Sequence, residues 1–225
     1  MVQVAGLLRA VYASMSLDLL KSKLFDLYGI RIEFESAIEN KEFIVKSVLN
    51  ILKDLPIKLI KNCGVKRLQI RNLGENREFY PNHGFYIGDL IALNSNIFLD
   101  PDMPEDFENS RGYRVSRPTQ TLIHEIGHAI DFRLGDISLK PDWLSLSGWS
   151  KEYKPGLKRL LIKEKGTPDV VGEWFYDPSA EFSRFYGKKC PEDDLADSVA
   201  YYFSLTDKVP PTKRKFLENI LKVYN

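Results

Sequence analysis

An α+β fold is what this 225-residue sequence predicts, and three observations predict it. Short alternating segments in the first half read as strands. Apolar residues return at helical spacing in the middle and at the end of the chain, and proline and glycine punctuate the two patterns. At this length the chain can bury a core without disulfides or a structural metal.

The elements follow in order. Met1 to Leu20 reads as an amphipathic helix, because Val4, Leu7, Leu8, Val11, Tyr12 and Met15 keep helical spacing. It opens without a basic region, carries Arg9 inside its apolar stretch and is too short to span a bilayer, so neither an export signal nor a membrane anchor is expected, and the cytoplasm is the expected compartment. Ile30 to Phe34 alternates like a strand, Phe43 to Leu55 is helical up to Pro56, and Val65 to Arg71 is a second strand. Phe85–Ile87 and Leu90–Leu93 form a hairpin through Gly88 and Asp89. These segments make a small mixed sheet with helices. Pro104 to Pro118 is polar and irregular, and it leads into a helix from Thr119 to Leu134 that Gly135 stops.

Beyond that helix, residues 136–179 hold Trp143, Trp149, Trp174 and Tyr176 among prolines and glycines, as core or as the lining of a cleft. Two helices end the chain, Glu192–Phe203 and Pro211–Tyr224, with Pro191 and Pro211 as their starts. The expected organisation is one domain over 1–225, with an upper lobe of about 1–134 and a mostly helical lower lobe of about 135–225.

Charge and cysteine usage narrow the partners. The chain carries 32 basic and 31 acidic residues without a long basic block, which argues against a nucleic-acid surface. Cys63 and Cys190 lie far apart and form no C-x-x-C pair, so no thiolate metal ribbon is readable, while a single disulfide stays open. A monomer is expected.

The chemistry concentrates in Thr121-Leu122-Ile123-His124-Glu125-Ile126-Gly127-His128-Ala129-Ile130-Asp131, which spells H-E-x-x-H inside an apolar helix. With 3.6 residues per turn, His124 and His128 project from one face and their imidazoles can close on one zinc ion. Glu125 flanks that face, within reach of a water on the metal. The chain has only 3 histidines, so two at this spacing carry more weight than in a His-rich protein.

A catalytic zinc takes a third protein ligand. The longer motif H-E-x-x-H-x-x-G-x-x-H is excluded, because positions 131 and 134 are Asp131 and Leu134. A glutamate about twenty residues on, as in thermolysin-like enzymes, finds only Glu152, without its accompanying acidic pattern. His83 lies in a turn-like segment suited to a solvated or substrate-facing role. The better candidate is downstream: Asp193, Ala196, Asp197 and Ala200 form one helical stripe in which two carboxylates alternate with two very small side chains. Such a face can approach another helix closely, and buried carboxylates need a cation or donors. Asp193 is assigned as the ligand and Asp197 as the acceptor that orients a zinc histidine. Glu192, one position away and about 100° round the helix, is the rival ligand. Glu192, Asp193 and Asp194 also suit a helix N-terminus through its dipole, which leaves Asp197 unexplained.

The run Phe182-Ser183-Arg184-Phe185-Tyr186-Gly187, followed by Pro191-Glu192-Asp193-Asp194-Leu195-Ala196-Asp197-Ser198-Val199-Ala200-Tyr201-Tyr202-Phe203, resembles the segment after H-E-x-x-H in anthrax lethal-factor-like metallopeptidases, which include the lethal-factor catalytic domain and the bacterial Pro-Pro endopeptidases. The resemblance runs from about Phe85 to the C-terminus and is weak over the first eighty residues or so. It implies a zincin-like fold. Registered on the tyrosine, it places the family's metal-binding glutamate on Asp193 and the second acid on Asp197, both one methylene shorter here, and the active-site tyrosine on Tyr186, whose hydroxyl would donate to the oxyanion. Without the resemblance, Tyr186 is equally an aromatic of the packed run Phe182, Phe185, Tyr186. The family's edge strand, which pairs with extended substrate, falls on Leu90, Ile91, Ala92 and Leu93.

The implied activity is zinc-dependent hydrolysis of peptide bonds in a protein or peptide substrate, with one Zn2+ per chain and Glu125 as general base. Two other readings use the same residues: a zinc-binding interaction or regulatory module with little turnover, and a zinc hydrolase of a non-peptide amide.

Overall fold

Four short strands set the frame. In the computed structural model, which describes residues 15–73, 83–99, 104–108, 114–162, 170–171 and 173–224, strands β1 (Arg31–Phe34), β2 (Arg67–Arg71), β3 (Gly84–Ile87) and β4 (Leu90–Asn94) form one sheet in the order β1-β2-β4-β3. β1 and β2 are parallel, β2 and β4 are parallel, and β3 returns antiparallel on β4 through the turn at Gly88 and Asp89, so the sheet is mixed. The register aligns Ile32 with Leu68 and Leu68 with Ile91, all of them buried.

Helices α1 (Leu17–Tyr28) and α2 (Lys41–Leu52) bury Leu20, Leu24 and Tyr28, and Ile44, Val48, Leu49 and Leu52, at the three- and four-residue spacings of an amphipathic helix. The short α3 (Ile57–Asn62) follows Pro56. The expected N-terminal helix falls mostly on residues 1–14, outside the described residues; the described helix starts at Leu17.

Helix α4 (Arg117–Arg133) carries the H-E-x-x-H motif with Pro118 in its first turn, packs on β3 and β4, and is followed by Gly135 at φ +81°. Past it, the buried Asp131 carboxylate accepts from the Ser138 N–H at 2.8 Å and from its hydroxyl at 2.5 Å, fixing the exit of the chain. The remaining helices are α5 (Pro141–Leu146), α6 (Pro191–Ser204) and α7 (Pro211–Leu221), which brings the α-helices among the described residues to seven. One hydrophobic cluster runs from Leu20 to Tyr224. Among the described residues no helix is long and apolar enough to cross a membrane.

Two expectations are corrected. Pro104 to Pro118 is not irregular throughout: β5 (Pro104–Glu108) pairs antiparallel with β6 (Arg114–Ser116), a pairing that polar composition conceals. Leu90, Ile91, Ala92 and Leu93 are not an edge strand. β4 is hydrogen-bonded to β2 on one side and to β3 on the other, and Ile91, Ala92 and Leu93 are buried, so no backbone edge is open there for an added strand. Among the described residues the outer strand on that side is β3.

The aromatic stretch is mostly core. Trp143, Trp149 and Tyr176 are buried; Trp149 packs edge-on against Tyr176 and Phe182 at 5.7 Å each, and the Trp143 indole N–H donates to the Pro191 carbonyl at 3.2 Å. This cluster forms the support under the start of α6. In the same stretch β7 (Leu161–Ile162) pairs with β8 (Val170–Val171). Cys63 and Cys190 are both free thiols.

Candidate metal centre

The site forms where α4 crosses α6. Gly127 on α4 has no Cβ, and one built there would lie 2.8 Å from the Ala196 Cα and 3.1 Å from the Ala196 carbonyl oxygen. Two backbones so close bring the donors beside them within reach of one another. The Nε2 atoms of His124 and His128 are 3.1 Å apart, and Asp193 Oδ1 is 3.5 Å from the first and 3.4 Å from the second.

These three residues are a group that could hold a metal ion among the described residues. The fit is chemical as well as spatial. Zinc–donor distances of about 2.0–2.2 Å in a tetrahedron separate donors by roughly 3.3–3.6 Å, close to the observed spacing. On His124 the Nδ1 faces Asp197 Oδ1 at 2.9 Å; the Nδ1–H donates there, so the Nε2 lone pair points at the other two donors. With a cation between them, two imidazole nitrogens and a carboxylate oxygen facing one point would all have a partner.

Electrostatics give the same answer. Burial disfavours the imidazolium of His124, yet hydrogen bonds to Asp193 and Asp197 outweigh it and raise its pKa to about 10. Asp193 is desolvated too, but contacts from His124 and His128 hold its carboxyl well below the ordinary range. Burial raises the Glu125 pKa, opposed by the charges of His124 and His128, so its carboxyl is held nearer to neutrality than an exposed glutamate.

Tyr186 begins a short 3-10 turn just before α6, and its ring lies 6.0 Å from the His124 ring, edge-on. Burial raises its phenol pKa, which keeps the hydroxyl protonated and able to donate. The structure thus brings together His124, Glu125, His128, Asp193, Asp197 and Tyr186. Glu192 is not among the grouped donors, so the stripe register places Asp193, and not its neighbour, against the histidines. His83 and Glu152 stay outside the group as well, Glu152 exposed.

Three features of the site were not read from the sequence. Lys189 Nζ donates to the Tyr186 hydroxyl at 3.1 Å and reaches Asp193 Oδ2 at 3.2 Å. The Cys190 thiol, at the N-cap of α6, donates to the same Oδ2 at 3.1 Å, and burial followed by the charge of Asp193 pushes its pKa up, so it stays a thiol. Asp194, which composition assigned to the helix dipole, is a fully buried ion-pair partner: Lys213 Nζ lies 2.7 and 2.9 Å from its oxygens, and Ser147 Oγ and Trp149 Nε1 donate at 3.0 and 3.1 Å. Gly127 inside an apolar helix was the available signal for the close crossing; no local pattern marks Lys213 as the partner of Asp194.

No family model matches the chain, and no curated protein matches it. The lethal-factor-like resemblance therefore rests on its two motifs. The solved structure of a candidate zinc-binding metallo-peptidase from Bacteroides caccae is similar over 92% of this chain and 77% of that one, with 11% identity and a TM-score of 0.40. A likeness that loose carries neither fold nor mechanism, and the functional reading rests on the residues.

Proposed function

We propose that the protein is a zinc-dependent metalloendopeptidase with a zincin-like arrangement, acting on a protein or peptide substrate. The observation that carries this reading is the convergence of His124 Nε2, His128 Nε2 and Asp193 Oδ1 within 3.5 Å of one another, beside the buried carboxyl of Glu125. The lethal-factor-like pattern of residues 182–203 supports it independently of those distances.

Zinc, when bound, supplies a Lewis acid that polarises a peptide carbonyl and lowers the pKa of water towards about 7. Asp197 holds the Nδ1 proton of His124 and so fixes which ring nitrogen ligates. Glu125 takes a proton from the attacking water onto its carboxylate and returns it to the leaving amine nitrogen. Tyr186 donates its phenolic proton to the oxyanion, a contribution of about 10²–10³ in rate if it matches other oxyanion donors.

The test is hydrolysis of a peptide library by zinc-loaded wild type and by Glu125→Ala, with zinc content measured in both. Turnover lost in the variant with zinc retained is the expected result. Unchanged turnover refutes the assigned base, and an inert wild type holding one zinc makes the chain a binding module. Turnover of a non-peptide amide alone would move the reaction to another substrate class.

A further inference from the structure

Lys189 precedes α6 by two residues, and its ammonium has two partners in the site. Nζ lies 3.2 Å from Asp193 Oδ2, the oxygen that turns away from the histidines, and 3.1 Å from the Tyr186 hydroxyl. An ammonium donates and cannot accept, so the hydroxyl receives this bond and keeps its own proton for another acceptor. With Oδ2 engaged by Lys189 and the Cys190 thiol, Oδ1 is the Asp193 oxygen that faces His124 and His128.

Charge supports the same role. Three carboxylates, Glu125, Asp193 and Asp197, are buried at the site, at 6%, 5% and 1% exposure. A divalent cation offsets two of those charges, and a further cation beside the cluster offsets the third when Glu125 is ionised. Lys189 is a cation that contacts the cluster, through Asp193.

We propose that Lys189 is a positioning residue that ties the oxyanion-facing hydroxyl of Tyr186 to the ligand carboxylate of Asp193 and aims the phenolic proton at the developing oxyanion. This rests on the peptidase reading. It differs from a general stabilising role because it acts through Tyr186, so the effects of the two residues must not add.

The experiment is a double-mutant cycle of Lys189→Met and Tyr186→Phe on zinc-loaded protein, with zinc stoichiometry checked in each variant. Two quantities are read: kcat and KM on the best-cut library peptide, and the calorimetric affinity for the phosphinic analogue of that peptide, whose tetrahedral anionic phosphorus stands in for the oxyanion. Lys189→Met is expected to lower kcat and inhibitor affinity about tenfold with KM little changed, in the range found for residues that orient functional groups. In the Tyr186→Phe background the same change is expected to cost no more than about twofold, and Lys189→Arg, which keeps a cation, is expected to recover most of the loss. Equal losses in both backgrounds, or wild-type behaviour of Lys189→Met, overturn the inference and leave the peptidase reading standing. Zinc-loaded wild type that cuts no peptide overturns the peptidase reading first, and this inference with it.

Discussion

Gly127 and Ala196 occupy equivalent places on two crossing helices: each has donors three positions before it and one after it, His124 and His128 on α4, Asp193 and Asp197 on α6. This close approach of the two helices is thus flanked by the four side chains. Small residues at one point let the backbones meet, and helical spacing does the rest.

Gly127→Ala tests that origin. An added Cβ meets backbone, not a movable side-chain end, so the helices must separate. Overpacking of this kind costs about 1–3 kcal/mol, against a gain of about 1 kcal/mol from better helix propensity. Urea melts are expected to show a net loss, and competition with a chromophoric chelator is expected to show weaker zinc binding. Unchanged zinc affinity would mean that the crossing does not set the donor geometry.

Metal removal should be visible in stability. A ligand present at about a thousand times its Kd stabilises the folded state by about 4 kcal/mol, which for a chain of this size is a shift in Tm of about 8–16 °C. Chelator is expected to lower the Tm of zinc-loaded wild type by that order and to leave the Tm of His128→Ala unmoved. Equal chelator effects on both proteins would place the metal elsewhere.

The pair of Asp194 and Lys213, each 1% exposed, anchors the first turn of α6 that presents Asp193. Lys213→Met leaves a buried carboxylate without its cation and is expected to cost about 3–5 kcal/mol. Replacing both partners, as in Asp194→Leu with Lys213→Met, is expected to recover part of that loss, since no unpaired charge remains. Denaturant melts of the two variants separate the cases; equal stabilities would show that the pair is not the anchor.

His83 gives a pH dependence outside the metal donors. Burial, then the charges of Arg117 and Arg184, lower its pKa from the ordinary 6.5 to about 4. Below 6.5 the unfolded chain binds a proton that the folded chain refuses until about pH 4, so the stability from neutral His83 is complete above 6.5 and is lost as pH falls towards 4. After discounting for its partial exposure, the loss is about 1–2 kcal/mol. His83→Gln is expected to flatten the stability profile in that window by this amount. A His83 NMR titration midpoint near 6.5 would contradict the prediction.

The sheet strands, the motif helix with Pro118 and Gly135 at its ends, and the Asp193–Asp197 stripe were legible because each is written in spacing along one segment. Features set by distant partners were not. Local spacing identifies β4 as a strand but cannot say that β2, some twenty residues earlier, lies on its far side, so nothing in the segment itself countered the edge position that the lethal-factor-like resemblance implied for Leu90–Leu93. The polar β5–β6 pair gave no apolar alternation to detect. Asp194 looked like its neighbours until Lys213 folded against it, and Lys189 gained its role only when the turn at Tyr186 brought hydroxyl, ammonium and Asp193 together.

The most direct test of the metal centre is an anomalous difference map, collected at the zinc edge, from crystals grown with one equivalent of zinc. The expected result is a single strong peak at about 2.0–2.2 Å from His124 Nε2, His128 Nε2 and Asp193 Oδ1. A peak bound through Glu192 in place of Asp193, or no peak between the two histidines, would contradict the account.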